Sequence, residues 1–175
     1  MHGKPRRVTG CPGCGFVPWS MDLPPQPAPD PALALPFRIA RPARQTMPLV
    51  FASPHSGQQY PDQLLADARM DALALRRSED SFVDELFAAA PAHGAPLLAA
   101  CFPRVWCDVN REAWELDPGM FAESLPPWVN THSPRVGAGL GTIARIVTGG
   151  ENIYRRKLSF AEAEARIHAC WEPYH

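Results

Sequence analysis

Read for hydrophobic and polar periodicity, the chain falls into an irregular leading stretch followed by strand-like and helix-like segments. Leu49-Val50-Phe51-Ala52 is a short apolar run between Pro48 and Pro54, the pattern of a buried strand. Phe37-Arg38-Ile39-Ala40 alternates and suits an edge strand. Ser78–Ala90 predicts a helix. Ser78 stands at the N-cap and Glu79 and Asp80 in the first turn, and Phe82, Val83, Leu86, Phe87 and Ala90 share one face before Pro91 and Gly94 stop it. Leu97–Phe102 and Val105–Val109 are further strand candidates, separated by Pro103. Glu112–Ser133 reads as loop, and Val136–Thr148 mixes glycines with isolated apolar residues. Ser159 and Glu162 form an S-x-x-E capping box, opening a helix with Ala163, Ile167 and Trp171 on one face and Pro173 at its end. Strands alternating with helices predict an α/β architecture.

The leading stretch changes the domain count. Between Pro24 and Pro31 prolines alternate with small or polar residues, a polyproline-II pattern with no helical or strand period. Residues 1–36 are therefore expected to be a disordered Pro-rich extension, or to precede a domain start nearer Met47, and residues 37–175 to form the domain. At 175 residues one domain is the default, long enough for a sizeable core. A net charge of −1 gives no bulk attraction to nucleic acid or anionic lipid, and no apolar run reaches spanning length. Basic Lys4–Arg7 is not followed by an apolar secretory core, and the cysteines have no disulfide-framework spacing. The expectation is a cytoplasmic protein with no nucleic-acid or membrane partner.

The chemistry concentrates in two segments. Ser53-Pro54-His55-Ser56-Gly57 sets a histidine in a tight turn after the apolar run, where imidazole is available as a zinc ligand or as a plain turn residue. Asp80, with Glu79 beside it, offers a carboxylate in a first helical turn, as a second ligand or as a dipole partner. Arg104-Val105-Trp106-Cys107-Asp108-Val109-Asn110-Arg111 brackets Asp108 and Asn110 with two guanidinium forks suited to carboxylates, or to an ion pair at a strand end. Asp108 is placed to fix Arg111. Cys11-Pro12-Gly13-Cys14 is a lone CxxC without further ligands at knuckle spacing. Gly137–Thr142 lacks the Gly-Lys-Ser/Thr ending of a P-loop and reads as a flexible loop. His93, His132 and His168 have no partner at ligand spacing.

Five ordered stretches carry a resemblance: Ser53–Gly57 with Tyr60-Pro61, Glu79–Phe87, Phe102-Pro103-Arg104 leading to Asp108–Arg111, Gly139–Ile143, and Pro173-Tyr174-His175. In these the chain resembles the N-formylglutamate amidohydrolase family. The resemblance implies a phosphorylase/hydrolase-like three-layer α/β fold, zinc-exopeptidase-like and incomplete in this chain. It implies hydrolysis of N-formyl-L-glutamate, or a related N-acyl amino acid, to formate and glutamate, a closing step of histidine degradation. By the same resemblance His55 and Asp80 are zinc ligands, with Glu79 as the fallback, and Arg104 is catalytic. Arg104, Asn110 and Arg111 would bind substrate. Family members carry a later half with an Asp-Cys-His-Ser segment, whose histidine is the third ligand, and an acidic base. This sequence has neither, so the alternative is a non-catalytic truncated homologue or one half of a split enzyme, with a complementary C-terminal chain as partner. His132 and His175 are the histidines left to stand in as ligands, without a spacing argument for either.

Overall fold

The computed structural model describes residues 35–175. The Cys11–Cys14 motif and nearly all of the Pro-rich extension lie outside the described residues. The sheet has three strands in the order β1-β3-β2, with β1 Phe37–Ala40, β2 Phe51–Ser53 and β3 Leu97–Ala100. β1 runs antiparallel to β3, pairing Phe37 with Ala100 and Ala40 with Leu97. β2 runs parallel to it, pairing Phe51 with Leu97 and Ser53 with Ala99. The small apolar residues of β3 make it the central strand, with Leu97, Ala99 and Ala100 buried. β1 is an edge strand, as its alternation predicts. β2 differs from its expectation: the strand starts at Phe51, and Leu49 and Val50 before it are 49% and 64% exposed. Only one edge of β2 is paired among the described residues.

The helices are short: α1 Asp62–Asp67, α2 Ala72–Leu75, α3 Val83–Leu86, α4 Pro134–Gly137, α5 Phe160–Arg166 and α6 Glu172–Tyr174. The helix predicted over Ser78–Ala90 shrinks to the single turn of α3, flanked by 3₁₀ turns at Arg76–Ser78 and Ala90–His93. One long-range contact and one backbone conformation outweigh its helical pattern. The Asp80 N–H donates to the His55 carbonyl, pinning the segment to the end of β2, and Phe82 takes the left-handed conformation at φ 65°. Ser78 caps nothing; its hydroxyl accepts from the Thr148 N–H. Gly94, at φ 82°, ends the segment in the left-handed conformation a helix terminus favours.

Val105–Val109 is buried but forms turns rather than the expected strand. Trp106 N–H bonds back to the Pro103 carbonyl, and Asp108 N–H reaches the Thr142 carbonyl, so the segment has no ladder to join. The Ser159 capping box forms in full: the hydroxyl accepts from Glu162 N–H, and the Glu162 carboxylate accepts from Ser159 N–H. A π-turn at Ile167–Trp171 then carries the chain into α6, past the stop predicted at Pro173. That turn shifts the buried face, so Cys170 is fully buried and Trp171 only partly.

The core gathers Leu64, Leu75, Phe102, Trp106, Leu116, Phe121, Ile143, Ile153 and Leu158. Arg166 is buried with them, its guanidinium 3.7 Å over the Trp106 ring and Nη1 2.7 Å from the Tyr154 hydroxyl. Among the described residues no helix is long and apolar enough to cross a membrane, and Cys101, Cys107 and Cys170 are free thiols.

Candidate active site

The site is built at the C-terminal end of β2, where groups past the ends of parallel strands converge. Pro54 turns the chain and His55 enters the interior, 5% exposed. Gly57 is required by close backbone passage: a Cβ there would lie 2.2 Å from the Phe102 carbonyl oxygen. Ser53 and Ser56 hydroxyls meet at 2.7 Å, and Ser56 Oγ donates to the Asp80 carbonyl at 2.8 Å. These bonds, with Asp80 N–H on the His55 carbonyl, fasten the 79–81 segment against the strand end.

Both ring nitrogens of His55 face carboxylates. Nδ1 lies 3.1 Å from Asp80 Oδ2, and Nε2 lies 2.8 Å from Asp108 Oδ1. Asp80 is half-exposed and Asp108 is buried. Burial opposes ionisation of Asp108, but the hydrogen bond and charge of His55, and then Arg104, outweigh it and hold the carboxyl at about 2. Ionised Asp108 is an acceptor only, so Nε2 donates its N–H to it, while Nδ1 lies within hydrogen-bond distance of Asp80 Oδ2. Arg104 Nη2 donates to Asp108 Oδ2 at 2.8 Å, and the Asn110 N–H donates to Oδ1 at 2.9 Å.

Arg104 and Asp108 also line a cleft of about 340 Å³ with Val105, Leu140, Val147 and the Thr148–Gly150 backbone. Its wall is largely apolar, with Arg104 as its cation.

Of the residues singled out in the sequence, the structure sets His55 between Asp80 and Asp108 and brings Arg104 onto Asp108. Glu79 turns elsewhere: it accepts from the Tyr60 hydroxyl, Arg76 Nε and the Ser81 hydroxyl, and its side chain is almost wholly buried. Arg111 donates Nε–H to the Leu140 carbonyl at 3.1 Å and Nη1–H to the Asn110 carbonyl at 2.8 Å. Asp108 faces Arg104 at 2.8 Å and Arg111 only at 3.9 Å, so it fixes Arg104 more closely than the Arg111 suggested by sequence. Asn110 is exposed beside them. His175 sits on the Val109 carbonyl and stacks on Trp171, His168 pairs with Glu172, and His132 is exposed. Sequence reading missed that Asp108 holds His55, because the two lie 53 positions apart and no spacing rule joins them. It also missed the Ser53–Ser56 pair, for which two hydroxyls flanking a site histidine were the available signal.

Zinc takes neutral imidazole and carboxylate donors, usually with the far imidazole N–H held by a second carboxylate. His55 Nδ1, Asp80 Oδ2 and Asp108 match that arrangement for two ligands. Among the described residues no group of three His, Cys, Asp or Glu is placed to hold a metal. The donor set fits part of a zinc site.

A buried, carboxylate-held histidine at a strand end beside an arginine-lined cleft, on a mixed α/β scaffold, is consistent with an α/β hydrolase-like fold. The sequence profile of N-formylglutamate amidohydrolase matches residues 47–175. The chain is also similar to the crystal structure of N-formylglutamate amidohydrolase from Ralstonia eutropha JMP134, with 40% identity and a TM-score of 0.72, over 80% of this chain and 49% of that one. No curated protein matches it. The chain belongs to the N-formylglutamate amidohydrolase family and spans about half the length of that solved relative.

Proposed function

We propose that this chain carries the first half of the active site of a zinc-dependent amidohydrolase, built on the three-layer fold of zinc exopeptidases. Its substrate is a small N-acyl amino acid, N-formyl-L-glutamate first, cleaved to formate and glutamate. The observation that supports this reading most directly is His55, its Nδ1 facing Asp80 and its Nε2 held by buried Asp108.

His55 Nδ1 and Asp80 Oδ2 are the groups that would hold zinc. When bound, zinc polarises an amide carbonyl and lowers the pKa of a water. Asp108 keeps the Nε2 proton in place and so fixes the tautomer that leaves Nδ1 free to donate. Arg104, held by Asp108 through one nitrogen, has its other N–H groups for a carbonyl or carboxylate oxygen in the cleft. Asn110 and Arg111 stand close by for the glutamate end. The apolar wall excludes water from one side of the substrate and strengthens those polar contacts.

A second reading, a non-catalytic homologue or one half of a two-chain enzyme, is favoured by the incomplete donor group among the described residues. Formate release from N-formyl-L-glutamate separates the two. Chelator-sensitive turnover by the folded, zinc-loaded chain, abolished in His55→Ala, supports the first reading in this chain alone. Turnover only after the complementary half is supplied supports the split enzyme. Turnover unchanged in His55→Ala would remove the ligand role.

A further inference from the structure

A second cavity lies beside the hairpin Arg145–Ile153, which is closed by the Ile153 N–H on the Arg145 carbonyl and by the antiparallel bridge of Ile146 with Asn152. Ile146, Val147 and the Thr148–Gly150 tip line the cleft next to Arg104. Arg145 and Asn152 line this other cavity, of about 230 Å³, and no residue lines both. Its walls also carry Arg69, Arg155, Arg156 and Lys157. Five of its nine lining residues are therefore cations and none is a carboxylate, in a chain whose net charge is −1.

These charges are only partly met from behind. Asp67 and Glu162 are both taken by Arg156, at 2.6 and 2.5 Å, and Asp117 by Arg145 at 2.7 Å. Among the described residues no carboxylate pairs with Arg69, Arg155 or Lys157. The two arginines are set in place by backbone. Ala68 and Tyr154 form an antiparallel bridge, and across it Arg69 Nε donates to the Tyr154 carbonyl at 2.7 Å while Arg155 Nε donates to the Ala68 carbonyl at 2.6 Å. This exchange orients both guanidinium planes and leaves their Nη groups without a hydrogen bond among the described residues. Like charges held around one cavity repel one another. A pre-set pair of guanidinium forks is also the geometry that recognises oxyanions.

We propose that this cavity binds a small multivalent oxyanion, a phosphate or a polycarboxylate, between the forks of Arg69 and Arg155, with Lys157 as the third charge. The Nη groups present paired N–H donors to the anion's oxygens, and the flexible Lys157 ammonium follows whatever charge remains. A monovalent anion leaves most of the three cations unmet, so charge complementarity selects for multivalence. The three side chains are exposed, so binding weakens as salt rises. None of the groups assigned to hydrolysis takes part in this site.

The test titrates the full 175-residue chain with inorganic phosphate, pyrophosphate and citrate by calorimetry at about 0.1 M salt, with acetate as the monovalent control. The expected result is one-to-one binding of at least one multivalent anion, with a Kd below about 1 mM and at least about tenfold tighter than acetate. Preference for the phosphates over citrate assigns the phosphate form, and the reverse order the polycarboxylate. Arg69→Gln with Arg155→Gln should weaken binding about tenfold or more. Both arginines also hold backbone carbonyls, so Lys157→Gln, whose side chain makes no hydrogen bond among the described residues, serves as the variant that leaves the fold alone. It should weaken binding about fivefold with unchanged melting. Amide exchange in the presence of the anion should slow at residues 67–69 and 152–157 and not at 104–111. Failure of every multivalent anion to bind, or acetate binding as tightly as they do, would overturn the proposal. So would binding lost in Arg104→Gln but kept in Lys157→Gln, which would put the anion in the cleft beside His55. Tighter binding of a single-stranded oligonucleotide than of any small anion would also overturn it, by making the cations part of an extended polyanion surface.

Discussion

His55 Nε2 is 2.8 Å from Asp108 Oδ1, and both side chains are buried. The bond ties the end of β2 to the turn after Pro103 and leaves Nδ1 as the nitrogen that faces Asp80. Asp108→Asn keeps the shape but cannot accept from His55, Arg104 and the Asn110 N–H as a carboxylate does. On the zinc reading proposed above, the expected outcome is a zinc affinity lowered roughly 10- to 100-fold, with far-ultraviolet circular dichroism unchanged. Chelator competition measures it. Equal affinity in the mutant would show that Asp108 does not orient the ligand.

Gly57→Ala tests the close passage beneath the site. The added Cβ would meet the Phe102 carbonyl oxygen at 2.2 Å and the Cys101 carbonyl carbon at 2.5 Å, both backbone atoms that no rotamer change can move. A loss of about 3 kcal/mol or more is expected, read as a shift in the urea midpoint. A mutant of wild-type stability would mean that the 55–59 turn shifts freely, and with it His55.

The capping box gives a prediction with a sign in pH. Hydrogen bonding to Arg156 lowers the pKa of Glu162; burial opposes this, and Ser159 adds to the lowering, leaving the carboxyl at about 2 against an ordinary 4.5. A depressed carboxylate contributes stability above its unfolded pKa and loses it as pH falls toward its folded one. Glu162→Gln should therefore be less stable than wild type near pH 7 by about 1 kcal/mol, discounted for a pair that faces water. The difference should shrink below pH 4.5 and vanish near pH 2. Ser159→Ala should cost about 1 kcal/mol. Urea denaturation across that range checks both; a difference independent of pH would rule out the charge as its origin.

The parts of the fold legible in the sequence are those set locally. The Ser159 box, the small apolar run of β3 and the stop at Gly94 each depend on residues within a few positions of one another. The helix expected over Ser78–Ala90 was not legible because its first turn is commandeered from afar: the Asp80 N–H serves the His55 carbonyl, 25 residues back. Val105–Val109 has the apolar content of a strand, but periodicity does not report that Asp108 N–H bonds to Thr142. The site followed the same division. His55, Asp80 and Arg104 were visible as residue types after a strand, in a first turn and beside a carboxylate. Their linkage, Asp80 and Asp108 on the two nitrogens of His55 and Arg104 on Asp108, is a property of the folded chain.

Arg166 offers the sharpest test of the core. It is 3% exposed, stacks on Trp106, donates to Tyr154 and leaves Nη2 without a hydrogen-bond partner among the described residues. Its stabilising role therefore comes from packing, the ring face and the bond to Tyr154, set against the cost of burying a charge that no carboxylate among the described residues pairs. Arg166→Ala removes the packing and opens a cavity, at a cost of about 3 kcal/mol. Arg166→Met restores most of the volume, ends the charge burial, and leaves the Tyr154 hydroxyl its bond to the Val105 carbonyl at 3.3 Å. That variant is expected within about 1 kcal/mol of wild type. Paired urea titrations give both values. Equal losses for Ala and Met would show that the charge itself, through Tyr154 and Trp106, holds the last helix against the core.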